Sequence, residues 1–142
     1  MRSVRDMEAE AGYTLTEMLV VILIISLIAA VLTPSLLGQL SRSRAKTAAL
    51  QIDTTTAALE NYREDMGQYP SSSEGLTALV SAPAEGAWLG PYLKDKKSLN
   101  DPWGRPLVYA LNADGVATVT SLGADGKEGG KGVDQDIIGT VR

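Results

Sequence analysis

The chain has 142 residues, a net charge of −4 and a pI near 4.8, which disfavours nucleic acid as a partner. It contains no cysteine, hence no disulfide framework, and no histidine, which removes the commonest general base and transition-metal ligand. Phenylalanine is absent too, so a core must be built from Leu, Val, Ile and five tyrosines.

Residues 1–12 mix Arg2 and Arg5 with Asp6, Glu8 and Glu10. They are not a secretory signal, because the small residue, Gly12, precedes the apolar stretch, whereas a secretory signal is cut after it. From Met18 to Ser41 there is no charge, and Met18 to Leu32 is almost purely aliphatic. About 20 apolar residues suffice to cross a bilayer as a helix, so residues 13–40 are predicted to span a membrane. The alternative, a buried core helix, needs a larger protein: a helix apolar all round is covered by lipid or by a large core. With one span removed, about 100 residues remain, enough for one small domain.

Two residues do not suit a plain anchor. Glu17 stands at the mouth of the stretch, where a carboxylate at membrane depth costs about 2–3 kcal/mol or more and usually has a partner. In the headgroup region it would need none. Pro34 removes a helical hydrogen bond and crowds the preceding turn, a break that neighbouring helices can satisfy. Both features suit a helix that packs against other protein.

Gly12, followed by Tyr13-Thr14-Leu15-Thr16-Glu17 and the aliphatic run, resembles the processing signal of type IV pilins and type II secretion pseudopilins. The resemblance implies cleavage at Gly12–Tyr13 by a prepilin peptidase, N-methylation of Tyr13, and a short leader over residues 1–12. It makes Glu17 the assembly residue, neutralising the N-terminal amine of a neighbouring subunit, and Pro34 the helix-kinking proline. Tyr13 stands where the family more usually has phenylalanine. Arg42, Arg44 and Lys46 follow the span, so charge alone does not favour an inside N-terminus. The resemblance nevertheless implies a cytosolic N-terminus and a periplasmic domain.

From Ser41 to Met66 the pattern becomes amphipathic. Ala45, Ala48/Ala49, Ile52, Leu59, Tyr62 and Met66 recur at three- and four-residue spacing. One long helix from about Tyr13 to Met66 is predicted, capped by Gly67 and blocked by Pro70. Ser72 or Ser73 is expected to cap a short helix over Leu76 to Val80. Trp88, Tyr92 and Leu93 supply apolar anchors around Gly90-Pro91, and Lys94 to Lys97 reads as a solvated charged turn. Asp101-Pro102-Trp103-Gly104-Arg105-Pro106 is a turn cluster, with Trp103 and Tyr69 read as packing residues. Leu107–Leu111 and Val116–Ser121 read as strands joined by Asn112-Ala113-Asp114-Gly115, an Asp-Gly hairpin signal. QYPSSSEGLTALV, GPYLK and DPWGRPLVY occur in the order found in the major pseudopilins of type II secretion, so the resemblance extends over nearly the whole chain.

The C-terminal stretch from Ser121 to Ile137 is too glycine-rich for helix or strand. It holds Asp125, Asp134 and Asp136 among many carbonyls, the donors that calcium takes six to eight at a time. Composition leaves two readings open, a calcium cage closed by the loop folding back, or a solvated loop with scattered acids. The helix-loop-helix pattern D-x-[DN]-x-[DN]-G is absent. The nonapeptide repeat pattern occurs once and fails at Asp136, where an apolar residue is required. Resemblance to the major pseudopilins implies a calcium site here: side chains of Asp125, Asp134 and Asp136, the backbone carbonyl of Leu122, and Lys127 in the same way.

No G-x-S-x-G nucleophile motif is present and no glycine-rich phosphate loop follows a strand, so a non-enzyme is expected. The expected fold is α+β and type IV pilin-like, one long helix packed on a small antiparallel sheet. It divides into residues 13–40 for membrane and assembly and 41–142 for the domain, with a variable segment over 67–106 and the sheet and calcium loop over 107–142. The resemblance implies a structural subunit of a type II secretion pseudopilus, held in the bacterial inner membrane by a single pass and extracted into a periplasmic filament. Its implied partners are further copies of itself, minor pseudopilins, the prepilin peptidase and the inner-membrane assembly platform. Two other readings stay open: a type IV pilin for adhesion or motility, though the usual C-terminal cysteine pair is missing, and a single-span calcium-binding module that never polymerises.

Overall fold

The computed structural model describes residues 12–83 and 86–142; apart from Gly12, the expected leader lies outside the described residues. Two compact units divide at Gly38 and Gln39. One α-helix, α1 (Leu15–Met66), has 52 residues and holds Pro34 inside it. It starts two residues later than the expected Tyr13.

Within the first unit every residue from Gly12 to Leu37 is exposed, the whole aliphatic run included. Among the described residues α1 is the helix long and apolar enough to cross a membrane. Two of its hydroxyls bond the helix itself: Ser26 Oγ donates to Ile22 O at 2.7 Å and Thr33 Oγ1 to Ala29 O at 2.6 Å. Such back-bonding hides a hydroxyl from an apolar surrounding. Pro34, one residue on, has no N–H to give.

In the second unit α1 turns one stripe inward: Ala48, Ile52, Thr55, Ala58, Leu59 and Tyr62 are buried. Thr55 fills the gap in the predicted stripe between Ile52 and Leu59, its hydroxyl returned to Gln51 O at 2.8 Å. The helix stops at Gly67, whose φ of +79° and N–H to Arg63 O at 2.8 Å make the expected left-handed cap.

The stripe packs on a three-stranded antiparallel sheet, β1 (Val108–Leu111), β2 (Ala117–Ser121) and β3 (Ile137–Val141), in the order β1-β2-β3. The first two strands are the predicted ones, each shortened by a residue. β3 was not anticipated, because the glycine-rich composition before it masks a five-residue strand, Ile137–Val141, whose two outward positions include an exposed Ile138. The turn from β1 to β2 runs through the expected residues. Asn112 N bonds Val116 O at 3.0 Å, and Gly115 N bonds Asn112 O at 3.2 Å with φ +74°. That is a hairpin turn with a left-handed glycine at its end, carried by the expected Asn112-Ala113-Asp114-Gly115.

Inward positions on β2 (Ala117, Val119 and Ser121) face α1 across the sheet, and Val119 is paired with Tyr109 on one side and Gly139 on the other. A Cβ at Gly139 would lie 2.5 Å from Thr56 Cγ2 and 2.6 Å from Ile52 Cγ2, so this glycine is what lets helix and strand meet. The connecting segment closes the core. Trp88 Nε1 donates to Ala78 O at 2.9 Å, and Tyr92 meets Tyr62 and Trp88 edge to face at 5.6 and 5.9 Å. Gln51 reaches from α1 to Ser98 O at 3.2 Å and Asn100 O at 2.5 Å.

Two local assignments change. The 3-10 helix Gly75–Leu79 has Glu74 at its N-cap with no side-chain cap hydrogen bond, so neither Ser72 nor Ser73 caps it; ahead of it Ser71 N donates to Glu74 Oε2 at 2.9 Å and Glu74 N to Ser71 Oγ at 3.3 Å. Lys96–Leu99 is a 3-10 helix rather than a plain turn, its N-cap Asp95 accepting from Ser98 N at 3.1 Å.

Gly139→Val is expected to destabilise the chain by roughly 1–3 kcal/mol through overpacking, read as a lower urea midpoint in detergent; an unchanged midpoint would mean the helix and β3 are not in contact. A second expectation concerns alkaline pH. Burial, helped by the nearby Tyr69, pushes the Tyr109 hydroxyl from the ordinary 10.0 up to about 12, and it donates to Pro70 O at 2.7 Å. The folded form therefore resists losing this proton, so its contribution is whole below about pH 10 and is lost as pH rises toward 12. Tyr109→Phe should flatten that part of an alkaline stability profile and cost about 1 kcal/mol at neutral pH.

Candidate functional site

Two places carry chemistry beyond packing. The first is the entry to α1. Gly12, Tyr13 and Thr14 precede the helix and are exposed, so the Gly12–Tyr13 bond lies outside regular structure. Thr14 and Glu17 form a capping pair: Glu17 N donates to Thr14 Oγ1 at 3.1 Å, and Thr14 N lies 3.5 Å from Glu17 Oε2. This threonine, three residues before a glutamate and at the head of an apolar run, is a capping-box signal that the sequence carries and that sequence reasoning passed over. Glu17 thus sits in the first turn, on the positive end of the helix.

The second place is the glycine loop between β2 and β3. It folds back on itself: Ala124 N bonds Val133 O at 2.9 Å and Asp136 N bonds Gly129 O at 3.1 Å. Gly123 allows the return, since a Cβ there would stand 2.5 Å from the Asp134 carbonyl oxygen and its φ is +61°. At the start of the loop Leu122 O accepts from Gly126 N at 3.1 Å, and Asp125 Oδ1 accepts from Lys127 N at 3.1 Å. At its end Asp136 Oδ2 accepts from Gly129 N at 2.9 Å, while Asp136 Oδ1 is buried with no hydrogen-bond partner.

The expected ligand residues are therefore drawn into one loop but not into one cluster. Asp125 and Lys127 are exposed, and Asp134 and Asp136 are half-buried. Among the described residues no three His, Cys, Asp or Glu side chains are placed to share an ion. What the loop does offer is oxygen: the orphaned Asp136 carboxylate oxygen, and the backbone carbonyls of a glycine-rich loop, the hard donor type that calcium prefers.

Beside the loop lies a network that sequence reasoning took for a simple turn. Asp101 is buried, and its Oδ1 accepts from Trp103 N at 3.0 Å and Arg105 N at 2.8 Å. Its Oδ2 takes Arg105 Nε at 3.2 Å, Arg105 Nη2 at 2.9 Å and Ser121 Oγ at 3.3 Å. The sequence signal was the aspartate itself, whose side chain commonly bonds the amide two residues on. Elsewhere Ser43 and Lys46 stand at S-x-x-K spacing on α1, and both side chains lie open to solvent.

Comparison with known proteins places this geometry. A family model described as "Type II secretion system (T2SS), protein G" matches residues 35–140, and one described as "Prokaryotic N-terminal methylation motif" matches residues 7–33. The chain belongs to the type II secretion system protein G family. Its relatives include the type II secretion system core protein G of Xanthomonas campestris pv. campestris, 39% identical over 130 residues, covering 90% of this chain and 88% of that one. The core protein G of Pseudomonas aeruginosa is also 39% identical, with 90% and 93% covered, and that of Vibrio cholerae is 34% identical, with 94% and 93% covered. The fold is that of the major pseudopilin from the type 2 secretion system of enterohaemorrhagic Escherichia coli, with a TM-score of 0.52 at 23% identity over 72% of this chain and 87% of that one. The α+β, pilin-like architecture read from the sequence is thus the architecture of the family, and the methylation-motif match encloses Gly12, Tyr13 and Glu17.

Proposed function

We propose that this protein G family member is a membrane-anchored subunit that polymerises through α1 into a periplasmic pseudopilus, with no catalytic role. The observation that carries the reading is the exposed aliphatic half of α1 joined to a family match over residues 35–140. A helix apolar on every side must stay covered, by lipid before assembly and by other copies of the chain after it. In this reading the chain passes the inner membrane once with its domain in the periplasm, and a prepilin peptidase cuts Gly12–Tyr13 and methylates Tyr13. Minor pseudopilins and the inner-membrane platform are its other partners. Growth of the filament would then drive folded proteins across the outer membrane.

Glu17 is the one charge at the mouth of the apolar run. In the free subunit the Thr14 amide and the helix end offset it; during assembly the freed amine of a neighbour would do so. Pro34 leaves a carbonyl one turn earlier for a neighbouring helix to satisfy. Glu17→Ala is expected to cut filament yield at least tenfold while membrane insertion and leader removal persist. Normal filament yield from that variant would overturn the charge-pairing role.

Calcium is proposed as the ion of the glycine loop. Asp136 Oδ1, buried without a partner, is the supporting observation, since a carboxylate oxygen in that state calls for a cation or a donor. Asp125, Asp134 and Asp136 would supply charge, and the carbonyls of Leu122 and Lys127 would complete the shell. The bound ion would tie the loop to the ends of β2 and β3. A ligand that binds only the folded chain stabilises it by about 2.7 kcal/mol at a hundredfold excess over Kd. The full chain in detergent should therefore melt several degrees higher in calcium than in chelator, and Asp136→Ala should abolish the difference. Equal melting of the unaltered chain in the two conditions would remove calcium from the reading and leave the filament role standing.

A further inference from the structure

We infer that Arg105 is the positioning residue of the glycine loop: its guanidinium clamps the turn from Leu122 to Gly126 onto the buried Asp101 carboxylate, and so holds the first half of the ion site formed before any ion binds. The inference rests on the calcium reading for its effect on affinity, though the clamp itself is a matter of geometry.

The guanidinium is shared between two partners that differ in kind. Toward the turn at residues 101–106 it gives Nε and Nη2 to Asp101 Oδ2, at 3.2 and 2.9 Å. Toward the loop the same Nη2 donates to Gly123 O, and Nη1 lies where a Cβ at Gly126 would have to go. The carbonyl it holds is flanked by Leu122, whose own carbonyl accepts from Gly126 N at 3.1 Å. One side chain therefore spans the turn that carries Leu122 and Asp125.

The clamp has a firm base. The Asp101 side chain is 2% exposed against 32% for Arg105, and the Trp103, Arg105 and Ser121 donors fix it independently of the guanidinium. The Arg105 guanidinium lies over the Trp103 ring at 5.5 Å, which limits its swing. A fork of this shape suits arginine and not lysine, whose single ammonium cannot bond two partners in fixed planar directions.

Two effects on the ion oppose each other. A cation near a calcium site repels calcium, but Asp101 neutralises this one at contact distance. Ordering the loop in advance removes part of the entropy that binding would otherwise have to meet. Partners that orient ligands in this way typically change metal affinity by roughly tenfold to a hundredfold when removed. The ordering effect is the larger one here, so loss of Arg105 weakens calcium binding.

The test uses the full chain in detergent, with Arg105→Gln and Arg105→Lys, and reads two quantities. Calcium titration should give a Kd at least tenfold weaker for both variants. A lysine variant that binds like the unaltered chain would show that charge, not the fork, matters, and would overturn the inference; so would an unchanged or tighter Kd in the glutamine variant. Amide hydrogen exchange in chelator should quicken over residues 122–126 in both variants while the β2–β3 amides keep their protection. Faster exchange throughout the sheet, or none over 122–126, would overturn the clamp. Should the unaltered chain bind no calcium, the exchange result decides the clamp alone, and the failure belongs to the calcium reading.

Discussion

Everything in this protein depends on the coverage of one helix. From Leu15 to Leu37 α1 is apolar on every side and buries none of it within its own unit; from Ala48 to Tyr62 it buries a single stripe. A domain of about a hundred residues has no core large enough to surround the first part. The second part needs only a sheet of three short strands. The same helix thus poses two different burial problems, one solved inside the chain and the other left for lipid or for further copies.

Polar groups along α1 are managed to suit. Ser26 and Thr33 return their hydroxyls to the helix backbone, so neither needs an outside partner. Thr55 does the same inside the core. Glu17 differs in carrying a charge, its carboxylate lying 3.5 Å from the Thr14 amide. A hydroxyl already bonded to its own helix can exchange lipid for protein at little cost.

Much of this was legible in the sequence, and for physical reasons. A 24-residue uncharged run and a three-and-four spacing of Ala48, Ile52, Leu59 and Tyr62 are signals of local composition and periodicity, and α1 ends at Gly67 as its left-handed cap requires. What escaped depended on distant partners. β3 is a strand because β2 is beside it, and Ile137–Val141 by itself carries a glycine and an exposed isoleucine. Asp101 and Arg105 looked like turn residues because their third partner, Gly123, lies 18 residues beyond Arg105. The glycine loop folds back, one of the two readings that composition left open, while its three aspartates converge less than a shared ion site needs. Backbone pairing closes that loop, and backbone pairing leaves little trace in residue identity.

The meeting of Gly139 with Ile52 and Thr56 has a mechanical side. The two methyl groups stand one helical turn apart, either side of a missing side chain, like teeth about a notch. Sliding α1 along its axis by a single residue, about 1.5 Å, would drive one of them into the backbone of β3. Residues 48–62 and the sheet are therefore held in fixed registration, and a tug on that part of the helix carries the terminal strand with it instead of creeping past it.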